Sequence, residues 1–261
     1  MPIRATFQLI GERFQSFALY IGGVAGLVSK TFSALFRHRL NFGELTLQLM
    51  QVGNKSLSIV GLVAIFTGMV FALQFSVGLA RFGLQMYVGQ VIGVAIMREL
   101  GPVLTSLMVA ARVGSGIAAE LGSMVVTEQV LAIEALGANP ISKLVVPRVM
   151  ACVIATPILS LISCALGVLG GMVITVREAG VSSRFFMDQI WRSVVMEDLV
   201  SGIGKTFFFG FFVGIIACYE GLNTRGGTEG VGVATTKAVV YSSIFIFVAD
   251  FFLTKIFILF Y

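Results

Sequence analysis

Ser56 to Leu79 contains no Asp, Glu, Lys or Arg, and Val149 to Val176 contains none either. A helix needs about 20 apolar residues to cross about 30 Å of hydrocarbon, so each run is long enough to span a bilayer. The runs are continuous and do not alternate, which excludes barrel strands and leaves helices as the only spanning structure. The balance of the chain agrees: 57% of residues are hydrophobic, 12% are charged, and the mean hydropathy is +0.98. A soluble domain of this length would need far more charge to cover its surface. The sequence therefore predicts an all-α polytopic membrane protein.

Residues 1–55 hold Arg4, Arg13, Lys30, Arg37, Arg39 and Lys55 against Glu12 and Glu44. The semi-apolar section Phe17 to Phe36 ends at Arg37-His38-Arg39, which suits a helix lying in the membrane interface; a first spanning helix is the alternative. The section begins too late and runs too long for a signal peptide. Five spans are expected after it: Ser56 to Leu79, a second from Tyr87, Val149 to Val176, Leu199 to Tyr219, and Ala238 to Tyr261, with a glycine-rich loop from Glu220 to Lys237. Cytoplasmic loops carry the excess of Lys and Arg, and the basic arm, the Thr127–Arg148 segment and the last loop hold ten such residues against four in the other loops. This places the N-terminus in the cytoplasm and Tyr261 outside. A net charge of +5 is modest and gives no argument for nucleic acid.

Polar residues inside apolar runs mark the candidate sites. Gln74 sits deep in the first span, where an amide needs either a bond to a neighbouring helix or a cavity. Arg98-Glu99 interrupts the second span, and helix geometry aims adjacent side chains about 100° apart, so at least one faces protein or water. A buried ion pair and a polar head-group site both fit. Pro102, after Gly101, predicts a kink or break. Gly114, Ala118 and Gly122 form a small-residue seam for close packing, and Gly167, Gly170 and Gly171 form another.

The Thr127–Lys143 segment carries an amphipathic stripe of Ile133, Leu136, Ile141, Leu144 and Val145, with Gly137 as a helix stop and Asn139-Pro140 as a turn. A docking element and a plain connector both fit it. Cys152, Cys164 and Cys218 lie in apolar runs and imply neither disulfide nor metal, and the lone His38 lacks the companions a metal needs. Gly204-Lys205-Thr206 imitates the end of a phosphate-binding loop, but Leu199 stands where that motif requires glycine. No nucleophile–base arrangement is present in the sequence. The chain is thus expected to be no enzyme, to bind neither metal nor ATP itself, and to depend on a separate subunit if ATP drives it.

Several motifs together resemble one family. From about Gly53 to the C-terminus, Gly68-Met69-Val70 with Leu73-Gln74, Arg98-Glu99-Leu100-Gly101-Pro102, Ala119-Glu120-Leu121-Gly122-Ser123-Met124 with Val126-Thr127-Glu128-Gln129, Ala135-Leu136-Gly137 with Pro140, Val146-Pro147-Arg148, and Asp198-Leu199 with Lys205 are similar to the MlaE (YrbE) permeases. These are the membrane subunits of ABC systems that move phospholipid between the two membranes of a diderm envelope. The resemblance implies a basic interfacial arm at 1–52 and a five-helix permease domain at 53–261. It implies a homodimer in the inner membrane, working with a cytoplasmic ABC ATPase, a periplasmic MCE-domain protein and in some systems a STAS-domain subunit. Phe71, Gln74, Phe75 and Gly78 would line a lipid cavity at the dimer interface, with Arg98, Glu99, Lys205 and Asp250 as a polar cluster beside it. The Glu128–Pro147 segment would be the coupling helix on the ATPase, through Glu128, Glu134, Gly137, Pro140, Pro147 and Arg148. Outside that family, an ion-coupled secondary transporter using the same intramembrane charges, or a membrane anchor for a periplasmic assembly, would share the composition.

Overall fold

The computed structural model describes residues 2–37 and 42–259, with the side chains of 2–14, 16 and 17 excepted. His38, Arg39 and Tyr261 lie outside the described residues. Eight helical elements follow one another: α1 (Pro2–Arg37), α2 (Phe42–Ala80), α3 (Gln85–Val126), α4 (Gln129–Ala135), α5 (Ile141–Glu178), α6 (Ser183–Ser193), α7 (Met196–Leu222) and α8 (Gly227–Leu259). There is no strand among the described residues. α2, α3, α5, α7 and α8 are each long and apolar enough to cross a membrane, and so is Ala18–Arg37 within α1. The protein is an all-helical, multi-pass membrane protein.

Close backbone contact fixes the bundle. α2 and α5 make the most extensive helix pair, because glycine replaces side chains where they cross: a Cβ on Gly68 would fall inside the carbonyl of Gly167, and one on Gly170 inside that of Ile65. Without Cβ atoms the two axes approach closely, and dispersion contacts between main chains hold them, as small residues allow in lipid. α7 beds against α5 in the same way through Gly210 over Cys152 and Gly214 over Val149. The Gly114–Ala118–Gly122 seam faces the end of α7, with Val213 beside Gly114, the Ala118 carbonyl beside Gly221 and Thr224 beside Gly122. α1 lies along α7 with Leu27, Thr31 and Ala34 buried at spacings of four and three, and its Tyr20 ring packs on Tyr219 at 5.2 Å and Tyr241 at 4.9 Å.

Of the kink or break expected at Pro102, a break does not occur. α3 continues for 42 residues, about 63 Å at 1.5 Å per residue. A π-turn at Ile96–Leu100 precedes the proline, with the Gly101 N–H bonded to the Ile96 carbonyl. Widening the turn accommodates the proline ring without opening the helix, and Cys164 adds a thiol donor to that same carbonyl at 3.6 Å. Further π-turns occupy Met50–Asn54, Ala110–Gly114 and Ile141–Val145.

Two connections also differ from expectation. The glycine-rich stretch before Lys237 is mostly helix, since α8 starts at Gly227 and only Asn223–Gly226 forms the turn. Gly230 sits directly over the Arg225 carbonyl, so glycine here permits a tight entry into a helix. The segment between the third and fourth expected spans contains α6, whose Phe186 and Ile190 are buried against Gly89 and Gly93 of α3.

Candidate functional site

Arg98 and Glu99 sit in the π-turn of α3 and part company there. Arg98 pairs with Asp198 at 2.5 Å, while Glu99 turns to Lys205. Both partners lie on α7 seven residues apart, which is two helical turns and therefore one face. Asp198 is 1% exposed and also accepts the Val195 N–H at 3.1 Å, capping the start of α7. The carboxylate thus satisfies a helix N-terminus and a guanidinium at once, which lowers the cost of burying it.

Lys205 is 1% exposed and is the centre of a four-residue cluster. Its ammonium donates to both carboxylate oxygens of Glu99 at 2.9 Å, to Asp250 Oδ1 at 3.0 Å and to Thr254 Oγ1 at 2.7 Å. The Thr254 hydroxyl donates in turn to Glu99 Oε1 at 3.1 Å. All three ammonium protons are engaged, as a lysine this buried requires. Asp250 and Thr254 lie four apart on α8, so one turn of that helix supplies both. Asp250, Thr254 and Glu99 border a groove of about 420 Å³ that is otherwise lined by Phe247, Phe251, Lys255 and Ile258. The site is a fixed, hydrogen-bonded charge cluster at the edge of an apolar, aromatic trough.

The residues expected to line a cavity occupy a different face. Phe71 and Phe75 stack at 5.9 Å on α2, with Phe75 packed against the cluster around Ala72, Val88 and Ile92. Gln74 and Gly78 are exposed, beside Val70 and Val77 at 54% each. α2 has no extended contact with α8, so within one chain the Gln74 face and the Lys205 cluster stay apart. Arg98 belongs with Asp198 rather than with the three residues grouped with it. Asp198 and Thr254 complete the site and were not singled out as site residues; the seven-residue spacing of Asp198 and Lys205, matched to adjacent Arg98 and Glu99, was the available signal.

The Glu128–Pro147 segment divides into a surface and a root. Glu128 has φ of 59° and opens the seven-residue α4, Gly137 ends it at φ of 76°, and Asn139 Oδ1 accepts the Ile141 N–H at 2.9 Å ahead of the next helix. The left-handed region at Gly137 is the one glycine readily supplies. Glu128, Glu134 and Gly137 are exposed and Pro140 is half-buried. Leu131 and Leu136 are 60% and 85% exposed, whereas Ile133 packs on the main core, so Leu136 leaves the expected stripe. Pro147 and Arg148 are buried. Arg148 pairs with Glu120 at 2.9 Å and donates to the Leu144 carbonyl at 2.7 Å, joining the end of α3 to the start of α5. Lys205 lies inside α7 and its Gly204-Lys205-Thr206 triplet forms no loop.

The family model described as Permease MlaE matches residues 45–256. A probable ABC transporter permease protein of Rickettsia felis is 39% identical over 248 residues, covering 95% of this chain and 96% of its own. The chloroplastic protein TRIGALACTOSYLDIACYLGLYCEROL 1 of Arabidopsis thaliana is 40% identical over 85% of this chain and 64% of its own. The intermembrane phospholipid transport system permease protein MlaE of Haemophilus influenzae is 37% identical over 84% of each chain. With the match running from α2 through the Lys205 cluster to α8, the chain belongs to the MlaE permease family.

Proposed function

We propose that this protein is the permease subunit of an ABC transporter that moves phospholipid between membranes. The carrying observation is the buried Lys205 cluster bordering a groove lined by Phe247, Phe251 and Ile258. Apolar walls suit acyl chains, and a few convergent polar groups suit a head group. The permease family and the named activity of the Haemophilus influenzae relative support the same substrate.

In this reading two copies meet so that the exposed Phe71–Gly78 face of α2 closes over a shared lipid cavity, with the Glu99–Lys205–Asp250 cluster and the Arg98–Asp198 pair at its polar end. The chain carries no ATP site of its own. A separate cytoplasmic ATPase docks on α4 through its exposed Leu131, Leu136, Glu128 and Glu134, and the buried Pro147–Arg148 root passes its closure to α3 and α5. A periplasmic MCE-domain protein receives or supplies lipid at the opposite end, and a STAS-domain subunit joins as a fourth component. The protein sits in the inner membrane of a diderm envelope with the N-terminus cytoplasmic and the C-terminus periplasmic. Residues 1–52 form the interfacial arm and 53–261 the permease domain.

Mass spectrometry of lipid retained by the purified complex tests the site. Gln74→Arg and Glu99→Lys should each lower bound phospholipid and transport; wild-type lipid occupancy and transport in both would overturn the assignment.

A further inference from the structure

α6 is held rigidly to the bundle. Phe186 is fully buried and Ile190 nearly so, and they fill the notch left by Gly89 and Gly93 of α3. Gln189 Nε2 donates to the Met86 carbonyl in the approach to α3, and the Ser182 hydroxyl accepts the Phe185 N–H to cap the helix. A helix secured at its cap, its notch and its side has no need of further apolar groups, yet the opposite flank carries Trp191, 79% exposed. It is the chain's only tryptophan.

The surroundings of Trp191 say what covers it. After α6 the chain continues through exposed Val195 and Met196 into α7, where Met196, Val200 and Phe207 are 71%, 61% and 46% exposed. Their spacings of four and seven place them on one exposed apolar stripe of a helix long enough to span a bilayer, as lipid contact requires. Trp191 stands at its head. Phe82 and Tyr87, 76% and 51% exposed, ring the neighbouring turn between α2 and α3 at the same end of the bundle. Beyond Trp191 the outward flank turns polar, with Arg192 and Asp188 paired at 2.9 Å. Aromatic residues above an apolar stripe and below paired charges form the sequence of layers met at a membrane–water boundary.

We infer that α6 is an interfacial foot: it lies along the phospholipid head-group layer with Trp191 inserted and the Asp188–Arg192 pair in water, at the end of the bundle opposite α4. Insertion of such a helix reaches roughly 5–10 Å into the boundary between head groups and acyl chains. α6 leads directly into the polar end of α7: Val195 donates to Asp198, and Asp198 pairs with Arg98. This inference does not depend on which molecule is transported.

Because Trp191 is unique, the unaltered full-length protein reports on itself. It would be placed in phosphatidylcholine–phosphatidylglycerol nanodiscs whose lipids are brominated near the head group, at mid-chain or at the chain end. Quenching of its fluorescence should be about twofold stronger with the shallow bromines than with the terminal ones, with weak quenching by aqueous acrylamide. A W191F/R192W variant, which moves the reporter about 100° around the helix to a charged position whose side chain is 79% exposed, should show weaker bromine quenching and stronger acrylamide quenching. Strong acrylamide quenching of the unaltered protein without bromine quenching would place α6 in water and overturn the inference. Protection from both quenchers would mean that protein covers Trp191, and deepest quenching at the chain end would mean a buried position; either also overturns it.

Discussion

Lys205 donates to both carboxylate oxygens of Glu99 at 2.9 Å while itself only 1% exposed. With Asp250 added, two carboxylates rely on one ammonium. Lys205→Met leaves both without their cation, and breaking a buried pair costs roughly 3–5 kcal/mol. A large drop in detergent-solubilised thermal stability is expected. Combining Lys205→Met with Glu99→Gln and Asp250→Asn removes all three charges and should recover much of that loss, which the same melting measurement checks.

The α2–α5 crossing makes a sharper structural prediction. Gly68→Val drives a side chain into the Gly167 carbonyl and should cost several kcal/mol, on the order of the larger overpacking penalties. Gly78→Ala meets nothing within 4 Å in one chain. It should not lower the melting temperature, and alanine's better helix propensity should raise it slightly, so any loss of bound lipid in that variant reports on the proposed cavity.

Arg148 and Glu120 offer a charge-reversal test. Arg148→Glu alone places a carboxylate opposite Glu120 in a buried setting and should destabilise the chain by about 3 kcal/mol or more. Adding Glu120→Arg should restore part of the stability. Restored folding without restored lipid-stimulated ATP hydrolysis in the complex would mark the pair as part of the transmission path.

Leu131→Asp and Leu136→Asp alter side chains that are 60% and 85% exposed. Changes on such a surface lie within about 0.5 kcal/mol. Both variants should fold normally yet lose co-purification with the ATPase; unchanged association would remove α4 from the docking surface.

Much of the helical plan was legible before any coordinates. The charge-free runs around Ser56–Leu79 and Val149–Val176 fix spans because hydrocarbon admits so few alternatives, and Gly137 with Asn139-Pro140 marks its turn by local backbone chemistry. What stayed hidden depends on register between distant helices. The π-turn at Ile96–Leu100 answers both to Pro102 and to the packing of Gly101 against Cys164, and only the second reaches across the bundle. That Arg98 would choose Asp198 and Glu99 would choose Lys205 follows from how α3 lies on α7. α6 is harder to read from sequence because its buried pair, Phe186 and Ile190, marks one face over only 11 residues.

At Gly68 and Gly167 main chain meets main chain, with no side chain between them to change rotamer and absorb a shift. Two helices locked in this manner cannot slide past one another by small steps; they travel as one stiff plate. Whatever motion the transport cycle demands of α2 must therefore carry α5 along, and strain from the α5 root at Arg148 arrives at the Gln74 face undiminished. α3 is bound into the same plate, since a Cβ on Gly202 of α7 would fall inside the Met97 carbonyl; at the site α8 is instead joined to α7 through the side chains of Lys205, Asp250 and Thr254.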